Sequence, residues 1–247
     1  MARGQTPVGT VRALYRYPVK STAGQALDTA DVTPDGLRHD RRWAAYTDDG
    51  GISSGKRTRR FRPVIGLMQW HSRVEDGDDV PSLVSPEGLR YRVDDPAASE
   101  ALSTAFGQRL TLRPETRVQH HDESPLHLLT TSSLAALEGA VAAAVDERRF
   151  RANIVIDTGA EPLFLEDGWT GADLVVGAEV ILHLGPGMSR CVMVDQAQAG
   201  IAAHPHVLRT LGACHDVQLG LQASARRTGT VRVGDVVSLH RGLSAES

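Results

Sequence analysis

Cysteine is nearly absent: Cys191 and Cys214 are the only two in 247 residues. Two thiols exclude a multi-disulfide framework and fall short of a four-cysteine zinc or iron–sulfur site. In a reducing cytoplasm both are expected to be free. Long apolar runs are also missing. No stretch of about 18 uncharged apolar residues exists, and the most apolar helical segment, SLAALEGAVAAAV from Ser133, is short and interrupted by Glu138. No membrane span is expected. The first residues, MARGQTPVGT, have no apolar core behind their single arginine, so no secretory leader is read and the cytoplasm is the expected compartment. A basic surplus is lacking too. The 27 Lys and Arg against 30 Asp and Glu leave a net charge of -3, which argues against a nucleic-acid partner, whose phosphates require a strong positive field. There is no G-x-G-x-x-G, P-loop, internal repeat or low-complexity tract, so nucleotide chemistry has no sequence support.

What is there is a chain, 41% hydrophobic, of many short β-prone runs. TVRALYRYPV, ALDTADVTP and RWAAYTD are separated by turn residues, VIGLMQWHSRV from Val64 continues the strand pattern, and SLVSPEGLRYRV suits a hairpin around Pro-Glu-Gly. PAASEALSTAFG fits a helix, with Pro96 in its first turn and Gly107 as its stop. QRLTLRP returns to strand. The polar stretch RPETRVQHHDESP, Arg113 to Pro125, divides the chain into two halves, 8–116 and 117–242. In the second half LHLLT reads as a buried strand, and Thr131, Ser132 or Ser133 can cap the helix that follows. RFRANIVIDT, DLVVGAEVILHLG and TVRVGDVVSLHRG read as further strands. The fold class expected is α+β, predominantly β and barrel-like, because the strand–helix alternation of a doubly wound sheet is missing.

Several segments carry candidate chemistry. ILHLG is expected to stop at Gly185-Pro186-Gly187, which places Cys191 beside a cleft with Arg190 next to it; a cation favours the thiolate, the form that acts as nucleophile and soft metal ligand. The competing reading is a small buried hydrophobe. Lys20 and Ser21 in YPVKS form an anion clamp or a solvated strand end. In GLRHDRRW an extended backbone turns one of Arg41 and Arg42 inward, and in RFRANIV the two-residue period puts Arg151 and Asn153 on one strand face. Inward arginines need an anion, either a bound phosphate or carboxylate or the chain's own Asp40, Asp146 or Glu147. SGKRTRRF from Ser54 reads as a solvated basic face. His120-His121-Asp122, His204-Pro205-His206 and Cys214-His215 lack metal-ligand spacing, and Glu166-Asp167 before Gly168 reads as a turn.

In this order, YPVKS, GLRHDRRW, SPLHLLTTSSLAAL, RFRANIV, EDGW, SRC and VGDVVSL resemble the MOSC family, especially its amidoxime-reducing and YcbX-like branch. The resemblance covers nearly the whole chain. It implies an N-terminal MOSC-associated β-barrel-like domain over 8–116, a MOSC barrel over 117–242, and a molybdenum cofactor of the molybdopterin type held between them. By the same resemblance Cys191 is the metal ligand and catalytic residue, and Lys20, Ser21, Arg41, Ser124, Arg151, Asn153, Ser189 and Arg190 are cofactor contacts. Two positions depart from the pattern: Ala152 replaces the proline of RFRPN, and Glu123 stands where a hydroxyl residue precedes SP. A carboxylate there repels a phosphate unless it is turned away or protonated. The activity implied is reduction of N-hydroxylated or related N- or S-oxygenated small molecules. Two cysteines cannot hold a four-thiolate cluster, so electrons are expected from a separate ferredoxin, flavodoxin or cytochrome-type reductase. The alternatives are a sulfur-transfer protein carrying a persulfide on Cys191 and a non-catalytic carrier of the cofactor.

Overall fold

A seven-stave ring of strands closes on itself. Its staves run Gln5–Arg16, Ile154–Asp157, Leu126–Thr130, Gln218–Arg227, Val180–Ser189, Asp173–Val176 and Val236–His240, and the last pairs again with Gln5–Arg16. The computed structural model describes residues 5–159, 161 and 163–240. The first four residues, read above for a leader, and the last two of the expected 117–242 unit lie outside that range. All neighbours in the ring are antiparallel except Leu126–Thr130 with Ile154–Asp157. Closure removes free edges.

Strand alternation sorts the apolar residues to the two sides of the wall. Leu126, Leu128, Ile154 and Ile156 join Leu14, Leu174, Leu182 and Leu221 in the core that fills the barrel. Their sequence neighbours Leu129 and Val155 face outward and pack with Leu134, Leu137, Val207 and Leu211 of two helices, α2 (Thr131–Val141) and α3 (Val207–Cys214). Thr130, one residue earlier than expected, caps α2: its Oγ1 accepts from the Ser133 N–H at 3.1 Å.

Other segments of the first half form two small sheets, Leu110–Pro114 with Trp43–Thr47, Ile52–Ser54 and Phe61–Pro63, and His71–Arg73 with Ser82–Val84 and Arg90–Arg92. They share a core of Trp70, Leu83, Leu102 and Leu110 with α1 (Pro96–Phe106). That helix follows its sequence signals closely: Asp95 accepts from the Ala97 N–H, proline occupies the first turn, and Gly107 ends it at φ 61°. The expected strand from Val64 is broken, because Gly66 at φ 95° starts a 3₁₀ turn over Leu67–Gln69 and only His71–Arg73 is extended.

The halves interleave. Gln5–Arg16, at the head of the first, is a stave of the barrel, and Thr29–Thr33 pairs with Gly229–Arg232 near the end of the second. Gly36, at φ 105°, lies against the Pro125 carbonyl, where any Cβ would collide. These crossings tie the two halves together.

Candidate functional site

One cleft is lined by every one of the nine residues Lys20, Ser21, Arg41, Ser124, Arg151, Asn153, Ser189, Arg190 and Cys191. Three of them share a backbone feature that propensity does not suggest. Ser21, Arg41 and Arg151 lie in the left-handed region at φ 63°, 53° and 55°, a conformation that costs a non-glycine residue about 1 kcal/mol or more. The expectation of Arg151 on a strand is therefore corrected. Glu147–Phe150 is a 3₁₀ turn, Arg151 is its left-handed cap, and extended structure begins only at Ile154.

The arginines are braced from below. Asp40, with no exposed surface, accepts the Tyr17 N–H at 2.7 Å and pairs with the Arg41 guanidinium. Arg41 Nη2 donates to the Arg151 carbonyl at 3.1 Å, and Arg151 Nη1 donates to the Thr22 carbonyl at 2.7 Å. The buried Tyr17 ring lies 5.0 Å from the Arg41 guanidinium carbon and 4.1 Å from that of Arg151, within cation–π range. Burial, and then repulsion from Arg41, pushes Arg151 down to about 10, so it stays charged at neutral pH. Arg151 Nη2 is buried with no hydrogen-bond partner. Arg42 turns away and pairs with Glu115 at 2.6 Å; the extended backbone expected here is instead a turn, with Arg41 left-handed.

Lys20, only 4% exposed, makes an ion pair with Asp122 and lies 4.5 Å from the centre of the Phe61 ring. Burial pushes it down to about 8, against the pull of Asp122. Burial alone would raise the Asp122 carboxyl, but Lys20 and Lys56 outweigh it and hold it well below the ordinary carboxylate range. Lys56, expected on a solvated face, reaches Asp122 and lines the cleft; its neighbours Arg57 and Arg59 are the solvated part of that run.

The strand before Cys191 does not stop at Gly185. It continues to Ser189 through register shifts between Leu184 and Ser189, which carry Ser189 and Arg190 to the rim. Arg190 donates from Nε to the Met188 carbonyl at 3.1 Å and from Nη1 to the Phe150 carbonyl at 2.8 Å. Burial pushes it down to about 10, opposed by Cys191, Glu123 and Asp122. Cys191 is partly exposed, is not disulfide-bonded, and opens the 3₁₀ turn Val192–Val194. Arg149 fixes that turn by donating to the carbonyls of Val194 at 3.2 Å and Gln196 at 3.3 Å.

Not every lining residue has a free side chain. The Asn153 Oδ1 accepts from the His127 N–H at 3.1 Å and its Nδ2 donates to the Tyr15 carbonyl at 3.2 Å, while Ser124 Oγ donates to the Leu126 carbonyl at 2.6 Å. Glu123 accepts from Gln222 Nε2 at 3.0 Å and from the Ser189 N–H at 3.4 Å, so its carboxylate is drawn to the rim. Lys56, His121, Asp122 and His127 also line the cleft, without a site role in the sequence motifs. Among the described residues no three His, Cys, Asp or Glu side chains gather around a metal position, and His121 and Asp122 line the cleft as single contacts. Cys214-His215 and Glu166-Asp167 lie elsewhere: His215 stacks on Phe164 and reaches Asp167 at 2.6 Å, and Glu166 is buried against Thr130 and Ser133.

Six cationic side chains, Lys20, Lys56, Arg41, Arg149, Arg151 and Arg190, line the cleft against the two carboxylates of Asp122 and Glu123. The cleft of this barrel protein therefore carries a cationic surplus with a partly exposed thiol among its lining residues. The MOSC domain profile matches residues 115–238 and the MOSC N-terminal beta barrel domain profile matches residues 8–116, so the chain belongs to the MOSC family. It is 26% identical to human mitochondrial amidoxime-reducing component 1, over 94% of this chain and 83% of that protein. It is 24% identical to the molybdenum cofactor sulfurase of Oryza sativa subsp. japonica, over 76% of this chain but 28% of that protein. The crystal structure of the YUAD protein from Bacillus subtilis has the same fold, with a TM-score of 0.51 at 11% identity, covering 95% of this chain and 97% of that one. Among the described residues no helix is long and apolar enough to cross a membrane.

Proposed function

We propose that the cleft binds a molybdenum cofactor of the molybdopterin type, with Cys191 as metal ligand, and that the protein reduces N-hydroxylated or related N- or S-oxygenated small molecules. The observation that carries this reading is the convergence of the nine motif residues on one cleft with a cationic surplus and a buried, unpaired donor at Arg151 Nη2. An anionic phosphate ester suits that surplus, and a soft thiolate suits a metal already held by other sulfurs. When bound, the cofactor supplies a centre that accepts an oxygen atom from the substrate with transfer of two electrons.

The chain's own residues do the rest. Lys20, Arg41 and Arg151 neutralise the phosphate, and the Asp40 and Tyr17 contacts hold the two arginines in place before it arrives. Ser21, Ser124 and Ser189 offer polar contacts along the walls, and Asn153 ties the strand entering at His127 to Tyr15, so it positions the floor. Arg190, which stays charged at neutral pH, adds positive charge to the wall next to Cys191 in the chain. Electrons come from a separate donor protein of the ferredoxin, flavodoxin or cytochrome-reductase kind, in a cytoplasm that keeps both thiols reduced.

The test is to purify the protein from cells able to make the cofactor, measure molybdenum by mass spectrometry, and assay benzamidoxime reduction with a chemical reductant. Near-stoichiometric molybdenum with turnover is the expected result. Molybdenum without turnover would make the protein a carrier, and sulfane sulfur on Cys191 without molybdenum would make it a sulfur-transfer protein.

A further inference from the structure

Two adjacent histidines in the segment between the halves have opposite surroundings. His120 has no exposed surface and both ring nitrogens are used: Nδ1 lies 2.8 Å from the Arg41 carbonyl and Nε2 lies 2.9 Å from the Tyr46 hydroxyl. It braces the fold. His121 is 8% exposed and lines the cleft, yet its Nε2 is buried without a hydrogen-bond partner. Buried imidazole nitrogens are rarely left unpaired, because desolvation of the polar atom is then uncompensated. Arg151 Nη2, on the same cleft, is in the same condition. Two residues that line one cationic cleft thus each hold a buried nitrogen with no partner, which points to a ligand with oxygen acceptors.

The protonation state fits. Burial, and then the Arg41 charge, pushes His121 down to about 4, with Asp40 opposing and Lys20 and His120 adding to the fall. The ring is neutral at physiological pH and supplies an N–H without adding a further charge to walls that already carry Lys20, Arg41 and Arg151.

We propose that His121 is a ligand-contacting residue of the cleft, its Nε2–H donating to an oxygen of a phosphate monoester while Arg151 Nη2 donates to the same phosphate group. This rests on the cofactor reading for the identity of the ester; the shared chemistry, a tetrahedral oxyanion, is also that of free phosphate. Imidazole-¹⁵N-labelled protein without cofactor is titrated with inorganic phosphate, and affinities are measured by calorimetry for wild type, His121→Phe and His121→Asn. Loss of one such donor is expected to weaken phosphate binding about five- to tenfold in His121→Phe, with His121→Asn in between and unchanged melting temperatures. In wild type the Nε2 resonance shifts on saturation, which decides the matter even if the phenylalanine variant fails to fold. An unmoved resonance, or a phenylalanine variant that binds as wild type does, overturns the proposal. Pterin retained per mole of protein purified from cofactor-making cells separates the two readings. If wild type holds no pterin while phosphate binding still depends on His121, the cofactor reading falls and the oxyanion contact stands. If pterin is held but His121→Phe changes neither pterin nor phosphate binding, only the His121 contact falls.

Discussion

Arg41 donates through Nη2 to the main-chain carbonyl of Arg151 at 3.1 Å, across 110 positions of sequence. Both residues are left-handed, both stack on Tyr17, and Arg41 also pairs with the buried Asp40. One hydrogen bond thus couples the two family domains at the place where their cationic side chains meet.

Breaking that relationship should cost stability as well as binding. Arg41→Ala leaves Asp40 buried and unpaired, for which a loss of about 3 kcal/mol is expected. Urea unfolding of Arg41→Ala, Asp40→Asn and the double variant measures it. The double variant should lie closer to wild type than the sum of the singles, since the pair is coupled.

The charge of Lys20 should be visible in anion binding. Burial sets its ammonium to titrate near 8, so sulfate, which does not itself titrate, should bind more weakly as pH rises through that value. Lys20→Arg keeps its charge and should abolish the fall. Calorimetry at a series of pH values reads both.

Glu166 should weaken the fold at neutral pH. Burial raises its carboxyl above the ordinary 4.5, against the hydrogen bonds from Ser133 and Thr130. The folded state therefore holds a proton that the unfolded state releases, and stability is lost as pH rises from 4.5 through the folded value. Glu166→Gln should melt higher than wild type at pH about 7, and the difference should vanish in acid below the unfolded value.

Glu123 should limit anion affinity. Its carboxylate lines the cleft and lies within the field of Arg190. Glu123→Ser removes a like charge, and sulfate should bind several-fold, roughly three to ten times, more tightly. Calorimetry at low ionic strength checks it.

Much of this was legible in the residues. The capping signals of α1 stand in the sequence, and LHLLT alternates one face into the barrel and one outward because its strand is covered on both sides. The nine site residues were legible only through the order of their motifs, since each alone is an ordinary strand-end cation, hydroxyl or thiol. Backbone conformation was not. Nothing local announces that Ser21, Arg41 and Arg151 turn left-handed; Arg41 and Arg151 do so where they meet Tyr17, and Arg151 also reaches the Thr22 carbonyl. Lys56 and Asp122 read as solvated for a related reason. A charge run and a polar linker look solvated until a fold places one against the other.

Cys191 is proposed to hold molybdenum at this cleft. Molybdenum X-ray absorption on protein loaded in cofactor-making cells, comparing wild type with Cys191→Ser and Cys214→Ser, tests it most directly. One fewer sulfur is expected in the metal's shell in Cys191→Ser, with an unchanged spectrum in Cys214→Ser. Identical sulfur shells in all three proteins would contradict it.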